Sequence, residues 1–63
     1  MVTNTLTDAE LVAQVRERLG YSVRTLAPEM GVGWRQVSKW LAGDARLRPA
    51  MRAKLERMLA EAE

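Results

Sequence analysis

The segment from Leu26 to Leu41 restricts the fold of this chain more than any other part, because its apolar residues keep helical spacing on both sides of a glycine turn. The residues that mark this pattern, at successive gaps of four, six and three, are Ala27, Gly31, Val37 and Trp40. The pattern predicts two short helices joined by a sharp corner. Such gaps are typical of a helix-turn-helix, whose second helix enters the major groove of DNA.

The composition excludes several classes of function. The chain has 63 residues, which is enough for one small domain with a single core. It contains no cysteine and no histidine, so a disulfide framework, a zinc finger and histidine-based acid–base chemistry are excluded. There is no glycine-rich phosphate loop, and so small a bundle has little interior in which to shift a pKa. We therefore expect no enzyme, no catalytic residues, no metal, no cofactor and no small-molecule ligand.

The sequence also lacks membrane and secretion signals. No apolar run approaches the roughly 18 residues that span a bilayer, and the N-terminus lacks the basic and then apolar pattern of a signal peptide. The absence of cysteine is compatible with a reducing cytosol. We therefore expect no membrane partner and a cytoplasmic location, at the nucleoid of a bacterial or phage-infected cell.

The positive charge is concentrated in one part of the chain. Eight basic and three acidic residues lie between Arg24 and Arg57, an excess of five, although the net charge of the whole chain is only +2. The basic excess therefore coincides with the predicted helix-turn-helix and the residues that follow it. This coincidence favours a negatively charged partner such as nucleic acid.

Capping signals divide the chain into four helices and no strand. Thr7 and Glu10 have the spacing of a capping box, Ser22 is a good N-cap, and Pro49 suits the first position of a helix. The predicted helices run from about Asp8 to Leu19, between Ser22 and Gly31, from about Trp34 to Ala42, and from Pro49 along an apolar stripe of Met51, Leu55, Met58, Leu59 and Ala62. The expected fold is all-α, a small four-helix bundle containing a helix-turn-helix, with a flexible N-terminus at 1–6 and the domain at 7–62.

Pro28 conflicts with the second helix. It cannot donate to the carbonyl of Arg24, and a proline inside a helix costs about 3 kcal/mol. Either the helix is short and bent, or its first turn is loosened and Pro28 lies close to its effective start. The apolar spacing and the terminating Gly31 keep this helix in the prediction.

The third helix is predicted to present cations to solvent. At about 100° per residue, with Val37 facing the core, Trp40 falls on the core side. The residues on the opposite face are Arg35, Lys39 and Ala42, and those on its flanks are Gln36 and Ser38. Arginine, lysine and glutamine match base edges and phosphates, and the free N–H groups that follow Gly33 favour a phosphate.

Several of these residues have a second interpretation. Trp34 lies at an intermediate angle, so it either packs at the edge of the core or projects toward the groove. Gln36 and Arg24 either contact DNA or are simply solvated. Ser38 either contacts a phosphate or satisfies the local backbone. Met30, Met51 and Met58 lie on apolar stripes and are expected in the core.

The segment from Met30 to Leu41 resembles the helix-turn-helix of the lambda-repressor-like superfamily, which includes Cro and phage repressors and the lac repressor family. The stretch from Val32 to Leu59 is similar to the lac repressor headpiece without gaps. The extra first helix, with the residues from Leu19 to Ser22, is more similar to the Cro and phage-repressor branch. The resemblance covers roughly residues 8–60.

This resemblance implies binding to double-stranded DNA. It implies base contacts by Trp34, Arg35, Lys39 and, as an assisting residue, Gln36. It implies backbone contacts near Ser22, Val23, Gly33, Ser38 and Arg46, to which we add the neighbouring Arg24. The chain departs from the family pattern in its N-cap glycine at 33, in the valine at 23 where a glutamine is frequent, and in Pro28.

We therefore expect a sequence-specific DNA-binding protein. It is either a small transcriptional regulator or repressor, or an engineered minimal DNA binder on the same scaffold. The alternative is a small helical protein-interaction module of the antitoxin or adaptor type, in which Trp34 and the basic face bind an acidic partner. No dimerisation or ligand-binding domain is recognised after the fourth helix, so a homodimer has no support in the sequence.

Overall fold

The computed structural model describes residues 6–62 and, within that range, contains four α-helices and no strand. The helices are α1 (Asp8–Leu19), α2 (Val23–Met30), α3 (Trp34–Ala42) and α4 (Pro49–Glu61). The predicted all-α class and helix positions are confirmed. Of the predicted flexible segment 1–6, residues 1–5 lie outside the described range. No helix in that range has both the length and the apolar character to cross a bilayer.

Reciprocal caps fix the beginnings of α1 and α2. The Thr7 hydroxyl accepts from the Glu10 N–H at 3.1 Å, and the Thr7 N–H donates to the Glu10 carboxylate at 2.9 Å, as the capping box predicts. Ser22 and Thr25 exchange the same two bonds at 3.2 and 2.7 Å. The second box was not predicted, because threonine replaces the usual glutamate or glutamine.

The closed first turn of α2 decides between the two interpretations of Pro28. The Leu26 N–H donates to the Ser22 carbonyl at 2.9 Å, so the helix begins well before the proline. The alternative of a loosened first turn was therefore wrong, and α2 is a short helix of eight residues. Pro28 is exposed, and its missing N–H leaves only the carbonyl of Arg24 without a helical donor. Arg24 is itself exposed near the start of the helix, so water can replace that donor.

A single core joins the four helices. Its helical members come from every element, and Leu47 joins them from the connection between α3 and α4. The buried hydrophobic residues are Leu11, Val12, Val15, Leu26, Ala27, Met30, Val37, Trp40, Leu47 and Leu55. α1 packs against α3 and α4, while α2 packs against α3. The Cα radius of gyration is 10.9 Å, against roughly 10.6 Å expected for a compact domain of this length.

The helix α4 lies at the edge of this core. Only Leu55 of its predicted apolar stripe is fully buried. Met51 and Met58 are half-buried, so their expected core positions were only partly right, whereas Met30 is buried as predicted. The reason is that α4 packs mainly against one neighbour, α1. A helix with a single neighbour buries only a narrow stripe of its own side chains.

Two polar links hold α4 and the preceding loop. The Asp8 carboxylate accepts from the Leu47 N–H at 2.8 Å and from the Arg52 guanidinium at 2.7 Å, and Arg52 also donates to the Leu6 carbonyl. The Lys54 ammonium donates to the Glu29 carbonyl at 2.7 Å, near the end of α2. The α3–α4 loop is therefore fastened to the start of α1, and α4 to the end of α2.

Replacing Gly31 by serine should lower the free energy of unfolding by about 1–2 kcal/mol, because Gly31 has φ 72°, a left-handed conformation that a Cβ disfavours. The matched control is Gly33→Ser in the same turn, where φ is −80°. It should raise stability by about 0.3 kcal/mol, since serine caps a helix slightly better than glycine. A new Cβ meets no atom within 4 Å at either position. Urea unfolding measures the free energy of unfolding of both variants. Equal changes in the two would contradict the left-handed conformation of Gly31.

Asp8→Ala should lower the free energy of unfolding by about 1–3 kcal/mol, because the Leu47 N–H and the Arg52 guanidinium lose their shared acceptor. The control is Glu17→Ala on the same helix, where the exposed carboxylate has no ion-pair partner in the described range; its effect should stay within about 0.5 kcal/mol. Thermal and urea unfolding of both variants test the link. A difference between them smaller than the experimental error would argue against it.

Candidate nucleic-acid interface

The third helix is embedded on one side and open on the other. Val37 and Trp40 are 0% and 3% exposed and pack within the core. The residues exposed on the opposite face are Arg35, Lys39 and Ala42, and those half-buried on the flanks are Gln36 and Ser38. The predicted orientation of α3 is therefore confirmed, with two cations one turn apart on its outer face.

Trp34 is the one large hydrophobic residue exposed in the described range, at 41%. The sequence left open whether it packs or projects, and the structure shows that it projects. Side chains in a helix point back toward its N-terminus, and Trp34, as the first residue, has no preceding turn to pack on. Two cations lie over its ring. The guanidinium carbon of Arg24 is 4.9 Å from the ring centroid, and that of Arg35 is 5.5 Å from it.

The N-terminus of α2 contributes backbone donors. The hydroxyl of Ser22 accepts from the Thr25 N–H in the cap and lies 3.1 Å from the Thr25 hydroxyl. The side chain of Val23 is half-buried against the core. The N–H groups of Val23 and Arg24 have no acceptor among residues 6–62. The donors free for an anion here therefore include these two backbone N–H groups and the Arg24 side chain.

The N-terminus of α3 is similarly open. Gly33 is the N-cap, and it supplies no side-chain hydrogen bond. The Gln36 N–H donates to the Gly33 carbonyl at 3.0 Å, but the N–H groups of Trp34 and Arg35 have no acceptor in the described range. These free donors, together with the positive end of the helix dipole, favour an anion at this position.

Gly33, Gln36 and Arg46 are brought together around one open cavity of about 360 Å³. Its remaining lining residues are Val32, Trp40, Arg48 and Met51, and none of the lining residues is acidic. The Trp40 indole N–H is buried and has no acceptor in the described range. This side of α3 therefore presents the Gln36 amide and two arginines.

Arg48 belongs to the same surface, although the sequence did not predict a role for it. It lies beside Arg46 because Leu47, between them, turns into the core while its N–H bonds to Asp8. With Leu47 held inward, the arginines on either side are both exposed. The alternating pattern of Arg46, Leu47 and Arg48 was the available signal, because alternate side chains of an extended segment point to opposite sides.

Two groups of basic residues differ in their partners. Arg52 pairs with Asp8 at 2.7 Å and with Glu56 at 3.2 Å, and Lys54 binds a backbone carbonyl. By contrast, the cations around α3 make no ion pair with any residue in 6–62. These unpaired cations, which together with Trp34 we call the basic surface, are Arg24, Arg35, Lys39, Arg46 and Arg48. The positive charge of this surface is therefore available to a partner.

Comparison of the chain with protein-family models, with curated proteins and with solved structures finds no match. The chemistry of the basic surface consequently follows from its own groups, which are cations, amide donors and one aromatic ring. In the described part of the chain no three acidic side chains lie close enough together to bind a metal ion. A surface of this kind suits a partner rich in negative charge and hydrogen-bond acceptors.

The two tryptophans should differ in their access to a soluble quencher. Trp34→Phe leaves only the buried Trp40, so its emission should be blue-shifted and acrylamide should quench it several-fold less than the emission of the unchanged protein. Steady-state fluorescence makes the measurement. Strong quenching of the remaining tryptophan in a variant that unfolds normally would contradict the burial of Trp40.

Proposed function

We propose that the protein binds double-stranded DNA in a sequence-specific manner, with α3 in the major groove. In this proposal α2, the turn at 31–33 and α3 act as a helix-turn-helix of the lambda-repressor-like type. The observation that carries the proposal is the outer face of α3, where Arg35 and Lys39 stand exposed and unpaired opposite the buried Val37 and Trp40. The major groove, about 12 Å wide, accepts a helix of this diameter.

The exposed side chains of α3 are suited to reading bases. The Arg35 guanidinium can donate two parallel bonds to O6 and N7 of a guanine, a pairing that discriminates between bases by about 1–3 kcal/mol. Lys39, one turn further on, reaches a second acceptor or a phosphate as a point charge. Gln36 presents an amide that matches adenine, and Ala42 is small enough to let the helix sit deep in the groove.

Backbone contacts flank this reading helix on both sides. Toward α2, the free N–H groups of Val23 and Arg24 can receive a phosphate. On the other side, the open end of α3 at Gly33 and the side chains of Arg46 and Arg48 surround a common cavity. Ser38, on the flank of α3, adds a hydroxyl. Phosphates line both edges of the major groove, so an arrangement with donors on both sides of α3 would fix its register.

In this role the protein acts as a small transcriptional regulator that occupies a DNA site. A single module of this size buries about 600–1,000 Å² of protein surface on DNA, and phosphate contacts supply much of the affinity. The unpaired state of the cations supports a large contribution of phosphate contacts to the affinity, because no internal ion pair has to be broken before they bind phosphate. The membership in the lambda-repressor-like superfamily is part of the same proposal, and it is supported by the placement of α1 before the α2–α3 pair.

Selection from randomised duplexes should yield one preferred motif. Against that motif, Arg35→Ala should weaken binding by about 1–3 kcal/mol, or roughly 5- to 150-fold, and relax the preference at one or two base pairs. Arg57→Ala is the matched control, because it removes an exposed arginine of α4 that does not line the cavity beside α3. Its effect should stay near twofold. Fluorescence polarisation at several salt concentrations measures both, and affinity should fall steeply with salt.

Equal binding to diverse duplexes at moderate salt would contradict sequence-specific reading. Binding to an acidic protein that resists salt, with no mobility shift on DNA, would favour the protein-interaction alternative. The exposed Trp34 beside two arginines is the feature that this alternative would use, since tryptophan and arginine are frequent in protein interfaces.

A further inference from the structure

We infer that Trp34 is a positioning residue whose ring holds the guanidinium groups of Arg24 and Arg35 before DNA arrives, instead of reading a base itself. The inference rests on the proposed function, since it assigns a role within the same DNA-binding site. It also changes the role proposed for Arg24. Instead of making an isolated contact to the DNA backbone, Arg24 acts together with Trp34 and Arg35 at the N-terminus of α3.

The geometry of two helix beginnings brings the three residues together. Arg24 is the second residue of α2, and Trp34 and Arg35 are the first two residues of α3. The Ser22–Thr25 box fixes the start of α2, and the left-handed Gly31 turns the chain between the helices. As a result, the guanidinium carbons lie 4.9 and 5.5 Å from one ring centroid, within the roughly 6 Å over which cation–π attraction acts.

Neither arginine has another ion-pair partner in the described range. In residues 6–62 no carboxylate pairs with Arg24 or Arg35, and both residues are exposed. A long side chain without an anchor loses much rotamer freedom when DNA fixes it, and this loss weakens binding. Two like charges brought near each other also repel. A tryptophan ring offsets both effects, because it attracts each guanidinium and restricts its motion.

Stacking leaves the arginine donors free for DNA. A guanidinium is planar, and its five N–H groups point outward in its own plane. A guanidinium that lies over an aromatic ring can therefore keep its edge open for a guanine or a phosphate. A base that stacked on Trp34 at the same place would have to displace a guanidinium, so this arrangement argues against direct stacking of Trp34 on DNA.

Substitutions at position 34 can reduce the cation–π attraction in steps. Trp34→Leu removes the aromatic face, whereas Trp34→Phe keeps a smaller ring that attracts cations less strongly. On the motif found by selection, we expect Trp34→Leu to lower affinity about 5- to 20-fold and Trp34→Phe to fall between it and the unchanged protein. Both variants should select the same motif and unfold at about the same temperature, since Trp34 lies outside the buried core.

A double-mutant cycle separates positioning from a direct contact. Arg24→Ala should weaken binding about threefold or more in the unchanged protein, and by much less in the Trp34→Leu background, because the ring that orders Arg24 is then missing. Arg46→Ala, on the other side of α3, is the control and should give additive effects. Additive effects of Arg24 and Trp34, or a change of the preferred base in Trp34→Phe, would overturn the inference.

The free protein provides a test that does not require DNA. If the two guanidinium groups stack on Trp34, the Cδ protons of Arg24 and Arg35 should show ring-current shifts in NMR spectra, and Trp34→Leu should abolish them. Missing shifts in a protein that binds its motif would overturn this inference alone. Shifts in a protein that binds no duplex would overturn the proposed function while supporting the stacked arrangement.

Discussion

The burial of one face of α3 is the constraint on which the other features of the site depend. Val37 and Trp40 enter the same core as residues of α1 and α2, so the helix cannot rotate without exposing them. Because a helix completes a turn in about 3.6 residues, side chains opposite these two cannot reach the core. Arg35 and Lys39 therefore stay in water, and the hydrophobic energy of the core holds them there.

The same residue types serve two purposes in this small chain. Arg52 and Lys54 bind acceptors within the fold and fasten α4 to α1 and α2. The cations of the basic surface bind no acceptor in the described range and leave their charge exposed. Asp8 connects the two groups, since its bond to the Leu47 N–H holds the loop from which Arg46 and Arg48 extend. A hydrogen bond to the Asp8 carboxylate thus helps to place the surface charges without neutralising them.

Local signals were sufficient for most of the secondary structure. Three of these signals act within one helical turn: the capping box at Thr7, the N-cap at Ser22 and Pro49 at the first position of α4. They can therefore be recognised from the sequence alone. Helical spacing likewise predicted the outer and inner faces of α3. Three features were not predicted: the projection of Trp34, the role of Arg48 and the partial exposure of α4. The alternation at Arg46 to Arg48 was a local signal for the second of them, whereas the partial exposure of α4 depends on which elements lie nearby.

The sequence by itself determined where α1 and α3 begin and end, where α4 begins and which face of each helix is apolar, because these properties depend on neighbours three or four residues apart. Only the tertiary structure decided how charges and rings from different helices meet. Arg24 and Trp34 are ten positions apart, and Asp8 and Leu47 are 39 apart. Such pairs come into contact only after the helices pack, since their approach is set by the shape of the common core and not by any local signal.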